Sequence, residues 1–176
     1  MKRVGIITTL AMLLMAMSAS VALAVSPGTY SPTIVPANAP SGTHLQSGTI
    51  SCTVNANLSV SCSSYELAGV GNTNATVSLV ANYSASINCT NKGGNLVEVH
   101  TTTFSAGETF TEASLKNGRL RVSAADADPF GAPQVCPNPN WTPSIAPGTL
   151  MLTSFTYTLT FAGFTQPYIT ISATDP

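Results

Sequence analysis

Apolar and polar residues alternate one by one along several stretches of the chain, which is typical of β-strands that bury one face. The clearest stretch is ATVSLVANYSASINC, residues 75–89. Its polar face carries mainly Ser, Thr and Asn, with Val80 as the exception. We expect a long half-buried strand whose apolar face is formed by Val77, Leu79, Ala81, Tyr83, Ala85, Ile87 and Cys89.

The residues after this strand predict a β-hairpin. TNKGGN, residues 90–95, contains two adjacent glycines that tolerate positive φ, so it is typical of a hairpin turn. LVEVHTTTF, residues 96–104, is then the returning strand. Three later stretches show the same strand pattern: GRLRV (118–122), TSFTYTLTFAGF (153–164) and YITISA (168–173).

Many strands, short turns and the lack of a long helical pattern indicate two packed sheets. Only TFTEASLKNG, residues 109–118, has any helical character, and it is short. Antiparallel sheets with one face on the core and one in water match the alternation. We predict an all-β, two-sheet antiparallel β-sandwich of about eight strands, with Ig-like Greek-key connections. A jelly roll or a closed barrel is the alternative.

The first 24 residues have the features of a secretory signal peptide. Lys2 and Arg3 precede an apolar run, and Ala22-Leu23-Ala24 supplies the small residues that signal peptidase recognises. The alternative, a membrane anchor, fits less well because the apolar run is short for a span of roughly 20 residues. We expect cleavage after Ala24, a secreted, extracellular chain, and no membrane span after cleavage.

The mature chain divides into an arm and a domain. Residues 25–48 are rich in Pro, Ser and Thr, and their prolines disfavour a helix, so we expect an extended arm with at most an edge strand. Residues 49–176 form the predicted single β-sandwich domain. The size of the mature chain is that of one domain.

Charge is scarce, which excludes one class of partner. Four basic residues remain after loss of the signal peptide, against seven acidic residues in the chain. Nucleic-acid binding needs a basic stripe, so we expect no nucleic-acid partner. The sequence does not identify the partner, and cell-envelope polysaccharide and another protein are the two candidates.

The four cysteines predict disulfides and not a metal or redox site. An even number of cysteines in a secreted chain favours bridges, and the C-x-x-C spacing of many zinc and redox sites does not occur. Four cysteines allow three pairings. A hairpin that turns at residues 56–58 sets Cys52 opposite Cys62, which leaves Cys89 for Cys136.

The most unusual stretch is DADPFGAPQVCPNPNWTPSIAPG, residues 126–148, which holds six prolines and the only tryptophan. Structureless loops of this length are usually functional or disordered. A rigid loop that presents Trp141 and Phe130 would suit an extracellular carbohydrate-binding module. Alternatively, Trp141 is buried in the core and closes one end of the sandwich, which is the interpretation we favour.

Other candidate chemistry is weak. Asp126, Asp128 and Gly131 resemble half of a calcium loop, but the downstream Glu of the full pattern is missing, so a polar turn is the simpler interpretation and we predict no metal or cofactor. His100 and Glu98 share a strand face, yet no nucleophile motif accompanies them. We expect a non-enzymatic protein with a structural or interaction role at the bacterial cell exterior, and consider a hydrolase unlikely.

Overall fold

The computed structural model describes residues 24–132 and 134–174, and β-strands dominate this part of the chain. The predicted signal peptide spans residues 1–24, and residues 1–23 lie outside the described part of the chain. A 3-10 helix spans Pro36–Asn38, and none of the described helices has the length and apolar character needed to cross a membrane. The strands are β1 Gly28–Tyr30, β2 Thr33–Ile34, β3 His44–Gly48, β4 Cys52–Val54, β5 Val60–Cys62, β6 Tyr65–Ala68, β7 Ala75–Thr90, β8 Leu96–Glu112, β9 Arg119–Val122, β10 Ala125–Ala127, β11 Thr142–Ile145, β12 Met151–Phe161 and β13 Ile169–Thr174.

The strands form three antiparallel sheets that pack against each other, so the protein is an all-β sandwich. One sheet has the order β1-β4-β5-β10, and a small sheet has the order β3-β6-β9. The large sheet is built on β7, which pairs with β8 along one edge and with β12 and β11 along the other. β13 and β2 extend it beyond β12. Within the described residues no sheet closes on itself.

β7 confirms the alternation seen in the sequence. Every second residue from Ala75 to Cys89 is buried, and the intervening side chains lie on the outer face. β12 behaves in the same way, with Phe155, Tyr157, Leu159 and Phe161 buried. β8 is longer than predicted, because the stretch with helical character continues the strand as far as Glu112. A glycine at position 107 is required there, since a Cβ would lie 2.0 Å from the carbonyl oxygen of Leu79.

Buried tyrosines join the large sheet to the two smaller ones. The hydroxyl groups of Tyr65 and Tyr157 lie 2.9 Å apart, and that of Tyr83 donates to the carbonyl oxygens of Leu58 and Ala127. Burial raises the pKa of Tyr65, with the neighbouring Tyr157 adding to the effect, and burial also raises the pKa of Tyr157. Burial, with Asp128 nearby, raises the pKa of Tyr83 to about 12. These hydroxyl groups therefore remain neutral and serve packing.

The arm, residues 25–48, lies within the sheets and not outside the sandwich. It supplies β1 beside β4, β2 beside β13 and β3 beside β6. Val25 and Ala39 are buried, and the amide of Val25 donates to the carbonyl oxygen of Leu152 at 2.8 Å. The sandwich thus includes the arm, and the described part of the chain holds more strands than the eight that alternation alone suggests.

Two disulfides are present. Cys52 and Cys62 are directly paired across β4 and β5, with their Cα atoms 4.0 Å apart, and both are buried. The chain turns between them at residues 55–59, where Leu58 adopts a φ of 67°. The second disulfide joins Cys89 to Cys136. This is the pairing that the symmetry of the first hairpin predicts, and it fits an oxidising compartment.

Candidate functional site

The Pro-rich segment 126–148 is anchored to the far half of β7. Its first residues belong to β10, β11 pairs with Ile87–Thr90 of β7, and the disulfide to Cys89 fixes its middle. The residues between these two strands form a loop, and residues 146–148 form a turn after β11. The segment is therefore tied to the sandwich at its start, near its middle and at β11.

Trp141 is half-buried and contributes to a second apolar cluster. This cluster lies beyond the main core, where β7 continues past Ser84, and its buried members are Ala85, Ile87 and Cys89. Trp141, Cys136 and Ile145 cover these residues from the loop side. The position is intermediate between the two predicted for it, since the indole closes this small cluster but keeps part of its surface in water.

Phe130 lies at the tip of a turn and is 61% exposed. Its amide donates to the Oδ1 atom of Asp128 at 3.0 Å, and the amide of Gly131 donates to the carbonyl oxygen of Asp128 at 3.2 Å. These bonds are typical of a turn that begins at an aspartate. Phe130 belongs to a different turn from Trp141, and no contact between the two rings is found in the described part of the chain.

The two aspartates of the half calcium loop are held differently, Asp128 through its carboxylate and Asp126 through its backbone amide. Asp128 stabilises its own turn, and the backbone amide of Asp126 donates to Oε1 of Glu108 at 2.7 Å. In residues 24–132 and 134–174, no three His, Cys, Asp or Glu side chains lie close enough to hold a metal ion. Residues 128–131 form a turn held by two hydrogen bonds to Asp128.

His100 and Glu98 lie together on the inner face of β8, as the strand period predicts. The Nδ1 atom of His100 is 3.7 Å from Oε1 of Glu98, which is too long for a hydrogen bond. This Nδ1 atom is buried and has no hydrogen-bond partner among the described residues. In a catalytic triad, one ring nitrogen of the histidine is hydrogen-bonded to a carboxylate and the other to the hydroxyl of the nucleophile. His100 and Glu98 are residue types that occur in a triad, but their geometry is not that of one.

The lower half of β8, from Phe104 to Glu112, is attached to the facing sheets. Phe104, Ala106 and Phe110 pack against the main core. Glu108 and Glu112 point inward, and their carboxylates accept hydrogen bonds from the backbone amides of Asp126 and Ser123. Inward charged side chains of this kind protect a sheet edge from further pairing.

The upper half of β8, residues 96–103, is different, and we call it the hairpin edge. β8 pairs with β7 alone among the described strands, so the hairpin edge has one side with no strand beside it. Three of its apolar side chains are exposed: Leu96 by 56%, Val97 by 42% and Val99 by 54%. An unpaired strand edge with exposed apolar side chains is a site at which another chain can add a strand.

The alternation predicts a strand at the hairpin edge but does not by itself identify the edge as a site. A signal was present in LVEVH. Glu98 and His100 lie opposite Cys89 and Ile87 of the buried face of β7, which leaves Val99 on the face where Ser, Thr and Asn predominate. A branched apolar side chain on a wet face is a local departure from the pattern. Two adjacent apolar residues, Leu96 and Val97, also interrupt the alternation, at the β-bulge opposite Thr90.

Comparisons of the chain with models of protein families, with curated proteins and with solved structures found no match. The function is therefore argued from the residues and geometry of this chain alone.

Proposed function

We propose that the protein is secreted and acts at the bacterial cell exterior as a non-enzymatic interaction or structural protein. The hairpin edge is the observation that supports this role. It offers unpaired backbone groups and three exposed apolar side chains on a surface otherwise rich in Ser, Thr and Asn. Extended segments bind to such edges through main-chain hydrogen bonds, and the side chains beside the edge provide specificity.

The non-enzymatic part of the proposal is supported by the state of the titratable groups. Among the described residues the Nδ1 atom of His100 has no hydrogen-bond partner, and Glu108 and Glu112 accept hydrogen bonds from backbone amides. The buried tyrosines have raised pKa values and partners in the core. The Ig-like Greek-key connectivity expected from the sequence stays a prediction, and the proposed role does not depend on it.

Retention on the cell envelope tests this role. The mature protein, starting at Val25, is mixed with a washed envelope fraction of the producing cells, and the bound fraction is measured. We expect the wild type to be retained and Val99→Lys to fall to background, because a charge on the hairpin edge opposes pairing. Thr111→Lys is the matched control, since Thr111 is exposed on the outer face of the same strand but lies in the protected half.

Failure of the wild type to bind would contradict the proposed role. Equal retention of Val99→Lys and the wild type would show that another surface makes the contact. Protease treatment of the envelope fraction distinguishes a protein partner from a polysaccharide.

A second candidate function, carbohydrate binding through segment 126–148, is favoured by the exposure of Phe130. An exposed aromatic ring on a turn can stack against a sugar ring. If this function holds, Phe130→Ala should abolish binding in a glycan screen while its free energy of unfolding stays within about 0.5 kcal/mol of the wild type. Absence of glycan binding by the wild type, or equal binding by Phe130→Ala, would contradict it.

A further inference from the structure

We propose that the partner of the hairpin edge is the hairpin edge of a second copy of this chain. The two copies would pair antiparallel about a two-fold axis and join their large sheets into one. This inference rests on the proposed interaction role and names the partner: copies of the chain already held in the envelope fraction would retain the added protein through the hairpin edge.

A strand edge is self-complementary when it meets a copy of itself in the antiparallel direction. A two-fold axis perpendicular to the sheet keeps the inner face of one copy beside the inner face of the other. The interface is then isologous, and it closes after two subunits. The protected lower half of β8 supports this closure, because Glu108 and Glu112 hold that part of the strand against the facing sheets.

The charges of the hairpin edge select one register. Glu98 and His100 lie two residues apart on the inner face of β8. Pairing centred on Val99 sets Glu98 directly opposite the partner's His100, and the reverse pair forms across the axis. Oppositely charged side chains that are directly opposite stabilise strand pairs, and a neutral imidazole can still donate an N–H to the carboxylate.

Few other charges surround this pair. The segment of β7 beside it, residues 84–90, carries no titratable side chain apart from Cys89, and loop residues 134–141 carry none apart from Cys136. These two cysteines form a disulfide with each other, and β11 carries no titratable side chain. Lys92, in the hairpin turn, is the one further charged residue between positions 84 and 107. The interaction of Glu98 with the partner's His100 therefore dominates the electrostatics of the register.

The apolar side chains fit the same register. Val99 meets the partner's Val99 across the axis on the outer face, and Val97 lies opposite the partner's Thr101. β-Branched residues in directly opposed positions contribute to strand pairing. The bulge at Leu96 and Val97 ends the pairing near the hairpin turn, so about five residues of each strand take part.

Sedimentation tests the association. We expect the mature wild type to sediment as a dimer at high concentration and to dissociate on dilution. Val99→Lys sets two ammonium groups opposite each other at the axis, so it should weaken association at least about tenfold. Thr111→Lys should sediment like the wild type. A monomeric wild type at every concentration, or a dimer unaffected by Val99→Lys, would overturn the proposal.

Cysteine cross-linking tests the register separately. Val99→Cys sets two thiols directly opposite each other, a geometry that this fold already bridges between Cys52 and Cys62 with Cα atoms 4.0 Å apart. We expect mild oxidation to give a covalent dimer through position 99, identified by peptide mapping. Thr101→Cys, which would face the partner's Val97, should remain monomeric in denaturant. A cross-link in Thr101→Cys and none in Val99→Cys would refute the register.

The envelope assay separates this proposal from the role on which it rests. A monomeric protein whose retention still depends on Val99 would retain the interaction role and refute the self-pairing. A dimer that the envelope does not retain would keep the self-pairing and refute the role at the cell exterior.

Discussion

Trp141 is half-buried because its own segment is held against the distant strand β7. β7 supplies the floor of the cluster at Ile87 and Cys89, the disulfide brings Cys136 across, and β11 supplies Ile145. The sequence shows that Trp141 is the single tryptophan in a rigid segment, but its depth depends on how far β7 extends past the main core. That extension is set by pairing with β8 and β11, which no local pattern around Trp141 reports.

Replacement of Trp141 tests this placement. Truncation of a fully buried large side chain costs about 3–5 kcal/mol, so Trp141→Ala, at a half-buried site, should lower the free energy of unfolding by about 2 kcal/mol. Urea unfolding measures the loss, and Phe130→Ala is the control that should change little. A loss below about 0.5 kcal/mol would place the indole outside the cluster.

The Tyr65–Tyr157 pair is a second prediction at the scale of single residues. Tyr65→Phe leaves the buried hydroxyl of Tyr157 without its partner and should cost about 1–3 kcal/mol, whereas the double Phe variant should be closer to the wild type. A double-mutant cycle in urea measures the coupling. If the losses in unfolding free energy of the two single variants add up to that of the double variant, the contact between the two hydroxyl groups is contradicted.

The same pair predicts the response to alkaline pH. Burial raises both pKa values above that of an unfolded tyrosine, about 10, so the unfolded chain releases protons first as the pH rises. The stabilisation is complete below pH of about 10 and decreases above it. We expect the urea concentration at the unfolding midpoint to decrease as the pH is raised from neutral to about 11. The decrease should be smaller in the double Phe variant. A fall of equal size in both proteins would contradict this assignment.

Long strands can be predicted from the alternation of apolar and polar residues, whereas very short strands cannot. β7, β12 and β13 alternate over six or more residues, and their buried faces are visible in the sequence. β1 and β2 have three and two residues, which is too short for a period to appear, and prolines interrupt the segment that contains them. Their place is determined by the open edges of β4 and β13, which lie far away in the sequence.

Deletion of residues 25–34 tests whether the arm is part of the sandwich. The deletion exposes the edges of β4 and β13, removes the buried Val25 and breaks the edge-to-face contact of Tyr30 with Phe155, whose ring centroids are 5.1 Å apart. Burial of a valine and one aromatic pair contribute together at least about 2 kcal/mol. Thermal unfolding should show the loss, with exposed Thr29→Ala as the control. An unchanged midpoint would show that the arm is not docked.

At the scale of the whole molecule, the sandwich class, the paired cysteines and the buried faces follow from composition and period, while the candidate site follows from topology. β8 is recognisable as a strand, but its free side appears only once β12 and β11 are known to occupy the far side of β7. The distinction between its protected and open halves depends on Glu108 and Glu112 reaching β10 and its neighbour Ser123. These contacts join residues 11 and 18 positions apart, which the alternation of apolar and polar residues does not bring together.

Hydrogen exchange along β8 tests most directly the central claim that the hairpin edge is where this protein meets its partner. The mature wild type is compared at low and at high concentration, with Val99→Lys measured alongside. We predict slower exchange at high concentration in peptides covering residues 97–101, unchanged exchange in peptides covering 105–111, and no concentration effect in Val99→Lys. Identical exchange of residues 97–101 at both concentrations, or protection that appears only in segment 126–148, would contradict the account.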